Sequence, residues 1–321
     1  MRVLLTGATG FVGRGLLERM STLVNLELVA AVRSRPASGL PEHVASRQIA
    51  GLEAGTDWRK ALEGIEAVIH SAARVHVMHD QASDPLAEFR KVNVDGTLSL
   101  ARQAAEAGVR RFIFISSIKV NGEGTPVGAP YIADAQPAPA DPYGISKMEA
   151  EQGLRALAAE TGMEVVIIRP TLVYGPGVKA NFLSMMRWLH KGVPLPLGAI
   201  PNKRSLVALD NLVDLIVTCI DHPAAANQTF LVSDGEDLST SQLLSRMGQA
   251  LGKPARLLPI PTWMLARAAT LLGKTAVAQR LCGSLQVDIS KTRELLNWSP
   301  PISVDEALRR TAKHFLEHQT R

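Results

Sequence analysis

The chain has 321 residues, a formal net charge of +5, 46% hydrophobic residues and two cysteines. That length exceeds one ordinary core and predicts a large α/β unit with a smaller lobe. The charge is modest and no lysine- or arginine-rich run concentrates it, which argues against a nucleic-acid partner and suits small phosphorylated molecules.

Arg2-Val3-Leu4-Leu5 reads as a short apolar strand, so the chain opens on a strand rather than a leader. It is followed by Thr6-Gly7-Ala8-Thr9-Gly10-Phe11-Val12-Gly13 and a helical stretch from Arg14 to Met20. Glycines three apart between strand and helix let backbone amides approach a pyrophosphate at the helix N-terminus. Gly7, Thr9, Gly10, Phe11, Val12 and Gly13 are the candidate contacts. Glu27 to Val32 forms the second strand and ends on Arg33-Ser34-Arg35. No carboxylate stands there to accept hydrogen bonds from a ribose, whereas the cations suit a 2′-phosphate. A dinucleotide that carries a 2′-phosphate is therefore favoured over one that does not.

Ala67 to His70 is a third apolar strand, continued by Ser71-Ala72-Ala73. The nearby His76, His79 and Asp80 have a spacing that invites a metal, but a tetrahedral site needs a further ligand, and none is expected. After a helical run from Leu98 to Ala107, Arg111 to Ser116 forms another strand, with Ser117 at its end. Tyr143 and Lys147 lie four apart at the start of a helix, hence on one face. A hydroxyl at a strand end plus a phenol beside an ammonium can move a proton to or from an alcohol or carbonyl oxygen.

Glu164 to Arg169 completes the alternation of strands and helices that a parallel sheet requires. From Pro170 to Arg204 the chain is rich in proline and glycine, with a helical insert from Phe182 to Lys191. Ser205 to Ala208 and Thr229 to Ser233 read as later strands returning to the sheet. Ser239 and Gln242 form a capping box opening a helix through Leu251. Trp263 to Leu272 could lie on a membrane, but a buried amphipathic helix is the preferred reading. No apolar stretch reaches the ~18 residues of a membrane span. Cys219 and Cys282 both sit in apolar surroundings, which predicts no disulfide and a cytoplasmic location. The fold class is α/β, a doubly wound Rossmann parallel sheet over 1–169, with a smaller interleaved lobe over 170–321.

Six motifs in order resemble those of the extended short-chain dehydrogenase/reductase superfamily, over essentially the whole chain. They are the glycine turn, Val68 to Ala73, Asn93-Val94-Asp95-Gly96-Thr97, Tyr143 with Lys147, Arg169 to Gly177, and the ending from Asp288 to Pro300. The resemblance implies Ser117, Tyr143 and Lys147 as catalytic residues. It places Ser71, Ala72, Ala73, Tyr143, Lys147 and Pro170 at the cofactor. It also implies a homodimer through a helical bundle. The superfamily's aspartate near the end of strand three is replaced by Ile49-Ala50-Gly51-Leu52.

For a free phenol that titrates near pH 10 to act as a base, its pKa must fall by about 3 units. Lys147 and the positive nicotinamide are expected to supply this. Asn181 and Arg204 match the superfamily's contacts to a nucleotide diphosphate, and Lys119 and Asn121 fall where a substrate could be read. The strings Ser116 to Glu123 and Asp141 to Gly144 resemble the UDP-4-keto-6-deoxy-N-acetylhexosamine 4-reductases of bacterial surface-polysaccharide synthesis. The first expectation is therefore an NADP(H)-dependent reductase of a UDP-linked 4-keto sugar. The alternative is a UDP-hexose 4-epimerase with bound NAD. Lesser readings are a reductase of a non-phosphorylated carbonyl and a non-catalytic dinucleotide sensor.

Overall fold

The computed structural model describes residues 1–34, 40–41, 44–75, 84–273 and 275–319. The strands are β1 (Arg2–Thr6), β2 (Glu27–Val32), β3 (Ala45–Gln48), β4 (Ala67–His70), β5 (Arg111–Ile115), β6 (Glu164–Pro170), β7 (Leu172–Tyr174), β8 (Arg204–Ala208), β9 (Thr229–Val232) and β10 (Asp237–Leu238). Seven of them form one sheet in the order β3-β2-β1-β4-β5-β6-β9, with every neighbouring pair parallel.

The near-continuous apolar runs of β1, β4, β5 and β6 suit a sheet covered on both faces. Alternation along β1 shows how. Val3 and Leu5 pack with Leu16, Leu17 and Leu212, from the helices Phe11–Met20 and Leu209–Asp221. Leu4 points the other way, to a cluster with Trp58, Leu62, Leu100 and Leu154, the last two from the helices Thr97–Glu106 and Pro142–Thr161. From β1 the chain builds outward through β2 and β3, then returns to lay β4 on the opposite side. A crevice opens at such a reversal, outside the carboxyl ends of the strands. Thr6 and His70, the last residues of β1 and β4, are register partners there.

The expectation that Ser205–Ala208 returns to the main sheet is corrected. The outer edge of β6 is taken by β9, so β8 pairs instead with β7 and, antiparallel, with β10. Along β8, Val207 points into the main core while Leu206 and Ala208 join a separate cluster. That second core adds Phe182, Met186, Leu244 and Phe315 from the helices Ala180–His190, Thr240–Ala250 and Val304–Gln319. The capping box forms: Gln242 N donates to Ser239 Oγ at 3.0 Å, and Ser239 N to Gln242 Oε1 at 2.8 Å.

A second correction concerns the Trp263–Leu272 segment. A helix forms over Thr262–Leu271, but none of its residues is buried. Only its inner side, including Leu265, leans on the second core. Among the described residues, no helix is long and apolar enough to cross a membrane.

Candidate active site

The glycine turn makes a cradle at the head of β1. Gly7 has φ +72°, a left-handed conformation, and a Cβ there would meet Ala72 N at 2.8 Å. A Cβ on Gly13 would sit 2.1 Å from Gly7 O, so the helix can start this close to the turn only with glycine. Gly10 is the N-cap of Phe11–Met20 with no side-chain cap, and no acidic residue occupies the first turn. The positive end of that helix is thus presented to the crevice, which fits a pyrophosphate. Thr9 and Gly10 are exposed, and Phe11 and Val12 half-buried, around it.

Across the crevice, Ser71 Oγ donates to Thr6 O at 2.7 Å and Ala72 N to Thr6 Oγ1 at 3.3 Å, tying the Ser71-Ala72-Ala73 loop to β1. His70 lies between Thr6 Oγ1 (2.8 Å) and Thr97 Oγ1 (3.0 Å), and burial, helped by the Lys147 charge, pushes its pKa down to about 3. It is a neutral structural imidazole. Arg33 and Ser34 are exposed at the end of β2, and Arg33 makes no ion pair among the described residues. Arg35 lies outside the described residues, as do His76, His79 and Asp80. Among those described, no group of three or more histidine, cysteine or acidic side chains could hold a metal, and both cysteines are free.

The catalytic candidates do come together. Asp141 caps the helix Pro142–Thr161, its Oδ1 accepting from Gly144 N at 2.6 Å, and this fixes Tyr143 in the first turn. Ser117 lies just past the end of β5, where its Oγ accepts from Lys119 N at 3.2 Å, and it is near enough to Tyr143 to favour the ionised phenol. Phe89 stands edge-on to the Tyr143 ring at 6.0 Å. Lys147 is buried one turn further on, donating to Ile115 O at 2.8 Å with its ammonium 4.3 Å from the centre of the Phe114 ring. Burial lowers the Lys147 pKa to about 7, with Glu151 opposing.

The lowering of the Tyr143 pKa expected from Lys147 is not realised by these residues. Burial first and the Asp141 charge second push the phenol up to about 12, with the Ser117 hydroxyl opposing. A bound nicotinamide's positive charge therefore has more to supply than the sequence implied.

Lys119 and Asn121 are not turned toward an open site. Lys119 Nζ is held by Glu123 at 2.5 Å and Asp141 at 2.9 Å. Asn121 is buried, and its Oδ1 accepts from Arg169 Nη1 at 3.0 Å while its Nδ2 donates to Ile132 O at 3.2 Å. The reason is a buried ion pair that sequence reasoning missed. Arg169 on β6 meets Glu151 with Nε–Oε1 2.9 Å and Nη2–Oε2 2.6 Å, and Ser116 Oγ donates to Glu151 at 2.6 Å. A guanidinium buried this deeply needs every donor satisfied, and Asn121 serves it. Glu151 lies four residues after Lys147 on the same helix face, which was the available signal. Asn93 plays a related part, donating to Ser146 Oγ at 3.1 Å and exchanging hydrogen bonds with the Arg74 backbone at 2.8 and 3.0 Å. It sits in a π-helical turn, Lys91–Gly96, of a kind frequent at functional sites.

Of the remaining candidates, Pro170 ends β6 opposite Val232 of β9. Asn181 is exposed in the first turn of Ala180–His190. Arg204 opens β8, and its Nη1 donates to Arg280 O and Gly283 O, both at 3.1 Å. Burial lowers its pKa, and no carboxylate pairs with it among the described residues. Asn181 and Arg204 lie on different elements and share no partner.

The model of the NAD dependent epimerase/dehydratase family matches residues 3–233. A UDP-glucose 4-epimerase of Vibrio cholerae is 51% identical, over 99% of this chain and 97% of its own. An N-acetyl-alpha-D-glucosaminyl-diphospho-ditrans,octacis-undecaprenol 4-epimerase of Escherichia coli O157:H7 is 28% identical, over 98% and 96%. Among solved structures, a UDP-glucose 4-epimerase of Thermotoga maritima with UDP-glucose superposes with a TM-score of 0.78 at 22% identity, covering 99% of this chain and 100% of that one. At that identity it speaks for the fold alone.

Proposed function

Because the chain belongs to the NAD dependent epimerase/dehydratase family, we propose that it is a UDP-hexose 4-epimerase with a nicotinamide dinucleotide in the crevice between β1 and β4. The observation that carries this is the full-length likeness to the Vibrio cholerae UDP-glucose 4-epimerase. It displaces the 4-keto reductase as first reading. The protein would work in the cytoplasm, as a homodimer.

The glycine cradle would hold the pyrophosphate, Ser71, Ala72, Ala73 and Pro170 would lie along the nicotinamide side, and Lys147 would bind the nicotinamide ribose. When bound, the cofactor supplies reversible hydride transfer at a sugar carbon. Tyr143 takes the proton of the C4 hydroxyl and later returns it. Ser117, close to the phenol, would hold the same sugar oxygen. Lys147, one turn from Tyr143, would favour the phenolate only in its protonated form, which its burial makes less populated near neutrality. Arg204, a desolvated cation with no carboxylate partner among the described residues, and Asn181 would meet the diphosphate. Tyr143→Phe should remove most activity while the protein stays folded, since the ring is kept.

A second reading has its own observation. The end of β2 carries Arg33 and no carboxylate, which supports NADP(H) as the better-fitting cofactor. NADP(H) is a pool that cells keep reduced and that suits a reductase. Stoichiometry separates the two. The epimerase interconverts UDP-glucose and UDP-galactose with no added NADPH, because the hydride is returned each turn. One NADPH oxidised per UDP-4-keto-6-deoxy-N-acetylglucosamine consumed, with no hexose interconversion, would replace the epimerase by the reductase.

A further inference from the structure

The helices Thr262–Leu271 and Thr275–Cys282 pack on each other and rest on the second core through Leu265, Leu281 and Cys282. Helical spacing sorts the first of them. Thr262, Leu265 and Ala269 are its half-buried side, while Trp263, Met264, Arg267 and Leu271 face out. Outward exposure is unusually apolar: Trp263 is 59% exposed, Leu271 87% and Leu272 71%. Large side chains left in water in one place mark a surface that something covers.

Charge says what. From Leu238 to Val287 the sequence holds six cations (Arg246, Lys253, Arg256, Arg267, Lys274 and Arg280) and no carboxylate, although the chain has 30 acidic residues. Arg246 is spoken for by Glu236 and Asp305, and Lys253 by His190 O. Arg256, Arg267 and Arg280 make no ion pair among the described residues. The Arg267 guanidinium lies over the Trp263 ring at 5.3 Å, so the cation and the amphipathic aromatic share one spot. An apolar surface meant for a second copy of the chain would bring its cations against like charges. A tryptophan with an arginine over its ring and exposed leucines on the same hairpin, in a stretch without carboxylates, matches an interface of headgroup phosphate over acyl chain.

We propose that this helical hairpin docks on the surface of an anionic lipid bilayer, with Trp263, Met264, Leu271 and Leu272 entering the headgroup region and Arg256, Arg267 and Arg280 meeting lipid phosphates. The binding is peripheral and electrostatically assisted. Each cation near such a surface contributes roughly fivefold in affinity, a gain that salt screens. Nothing in it depends on the sugar chemistry, so it stands or falls separately from the epimerase reading.

The test is flotation of the full chain with vesicles of phosphatidylglycerol and phosphatidylethanolamine, against vesicles of phosphatidylcholine. Floating with the first and not the second, release in about 0.5 M salt, and a blue shift of tryptophan emission are expected. The exposed-site variant Trp263→Ser/Leu271→Ser/Leu272→Ser should keep its Tm and its turnover of soluble UDP-sugar while losing at least tenfold in vesicle affinity. Arg267→Glu should lose severalfold. The proposal is overturned if the parent fails to float with anionic vesicles, or if the triple variant floats equally well. A concentration-dependent dimer that the triple variant dissolves, with no vesicle binding, would assign the face to a second copy instead.

Discussion

Asp141→Asn removes the carboxylate that, among the described residues, works against the Tyr143 phenolate. Asparagine caps a helix about as well as aspartate, so the bond from Gly144 N and the placement of Tyr143 should persist. The loss of the partly buried pair with Lys119 costs about 0.2–1 kcal/mol. The phenol stands at about 12 against an ordinary 10, with burial the first cause and Asp141 the second. With Ser117 opposing, Asp141's share is on the order of one unit, or about 1.4 kcal/mol. Lys119, left with Glu123 alone, adds a little in the same direction. As the base proposed above, Tyr143 would act when deprotonated, so the acidic limb of kcat/KM should move to lower pH by about one unit. The shift between parent and variant is the observable, since bound cofactor moves both limbs together. An unshifted limb in a variant of unchanged Tm would refute the assignment of Asp141 as the opposing charge.

Arg33→Asp should move the ratio of kcat/KM for NADP(H) and NAD(H) toward NAD(H) by one to two decades, the roughly 1.5–3 kcal/mol of a charged hydrogen bond. An unchanged ratio removes Arg33 from the 2′-phosphate. Arg204→Ala should weaken UDP binding about tenfold or more while leaving cofactor affinity intact, and equal UDP affinity by calorimetry would take away the main support for a diphosphate at β8. His70 gives a stability signature. It stays neutral in the folded protein down to about 3, whereas an unfolded histidine takes a proton below about 6.5. Stability is therefore complete above about pH 6.5 and falls as pH drops, by at most about 1.4 kcal/mol per unit from this group. In His70→Gln that slope should flatten in urea denaturation measured across the range, and a slope equal to the parent's would show that His70 is not its source.

The apolar strands were legible because burial on both faces leaves a run of Val, Ile, Leu and Phe, as in Phe112 to Ile115. Ala45–Gln48 was not, because an edge strand pairs on one side only and can be polar; it reads Ala-Ser-Arg-Gln. The juxtaposition of Ser117, Tyr143 and Lys147 could be read from spacing and strand ends, since it depends on local geometry. Asn121 was misread for the opposite reason. A polar residue just past a strand looks free for a ligand, and only the fold reveals that Arg169, 48 residues on, needs its carbonyl. Likewise Lys119 carries a charge the sequence offers to substrate and the structure gives to Glu123 and Asp141. Arg204 matched its motif, but its bonds to the Arg280 and Gly283 carbonyls arise from a pairing of distant segments that no local pattern encodes.

The alternation along β8 has a mechanical consequence. With Val207 in one core and Leu206 and Ala208 in the other, this single strand stitches the two bodies together. Neither can swing away without stripping apolar side chains from the neighbouring core. Under the proposed epimerase reading, a sugar ring that presents first one face and then the other to the same reacting centre would have to turn inside this fixed frame.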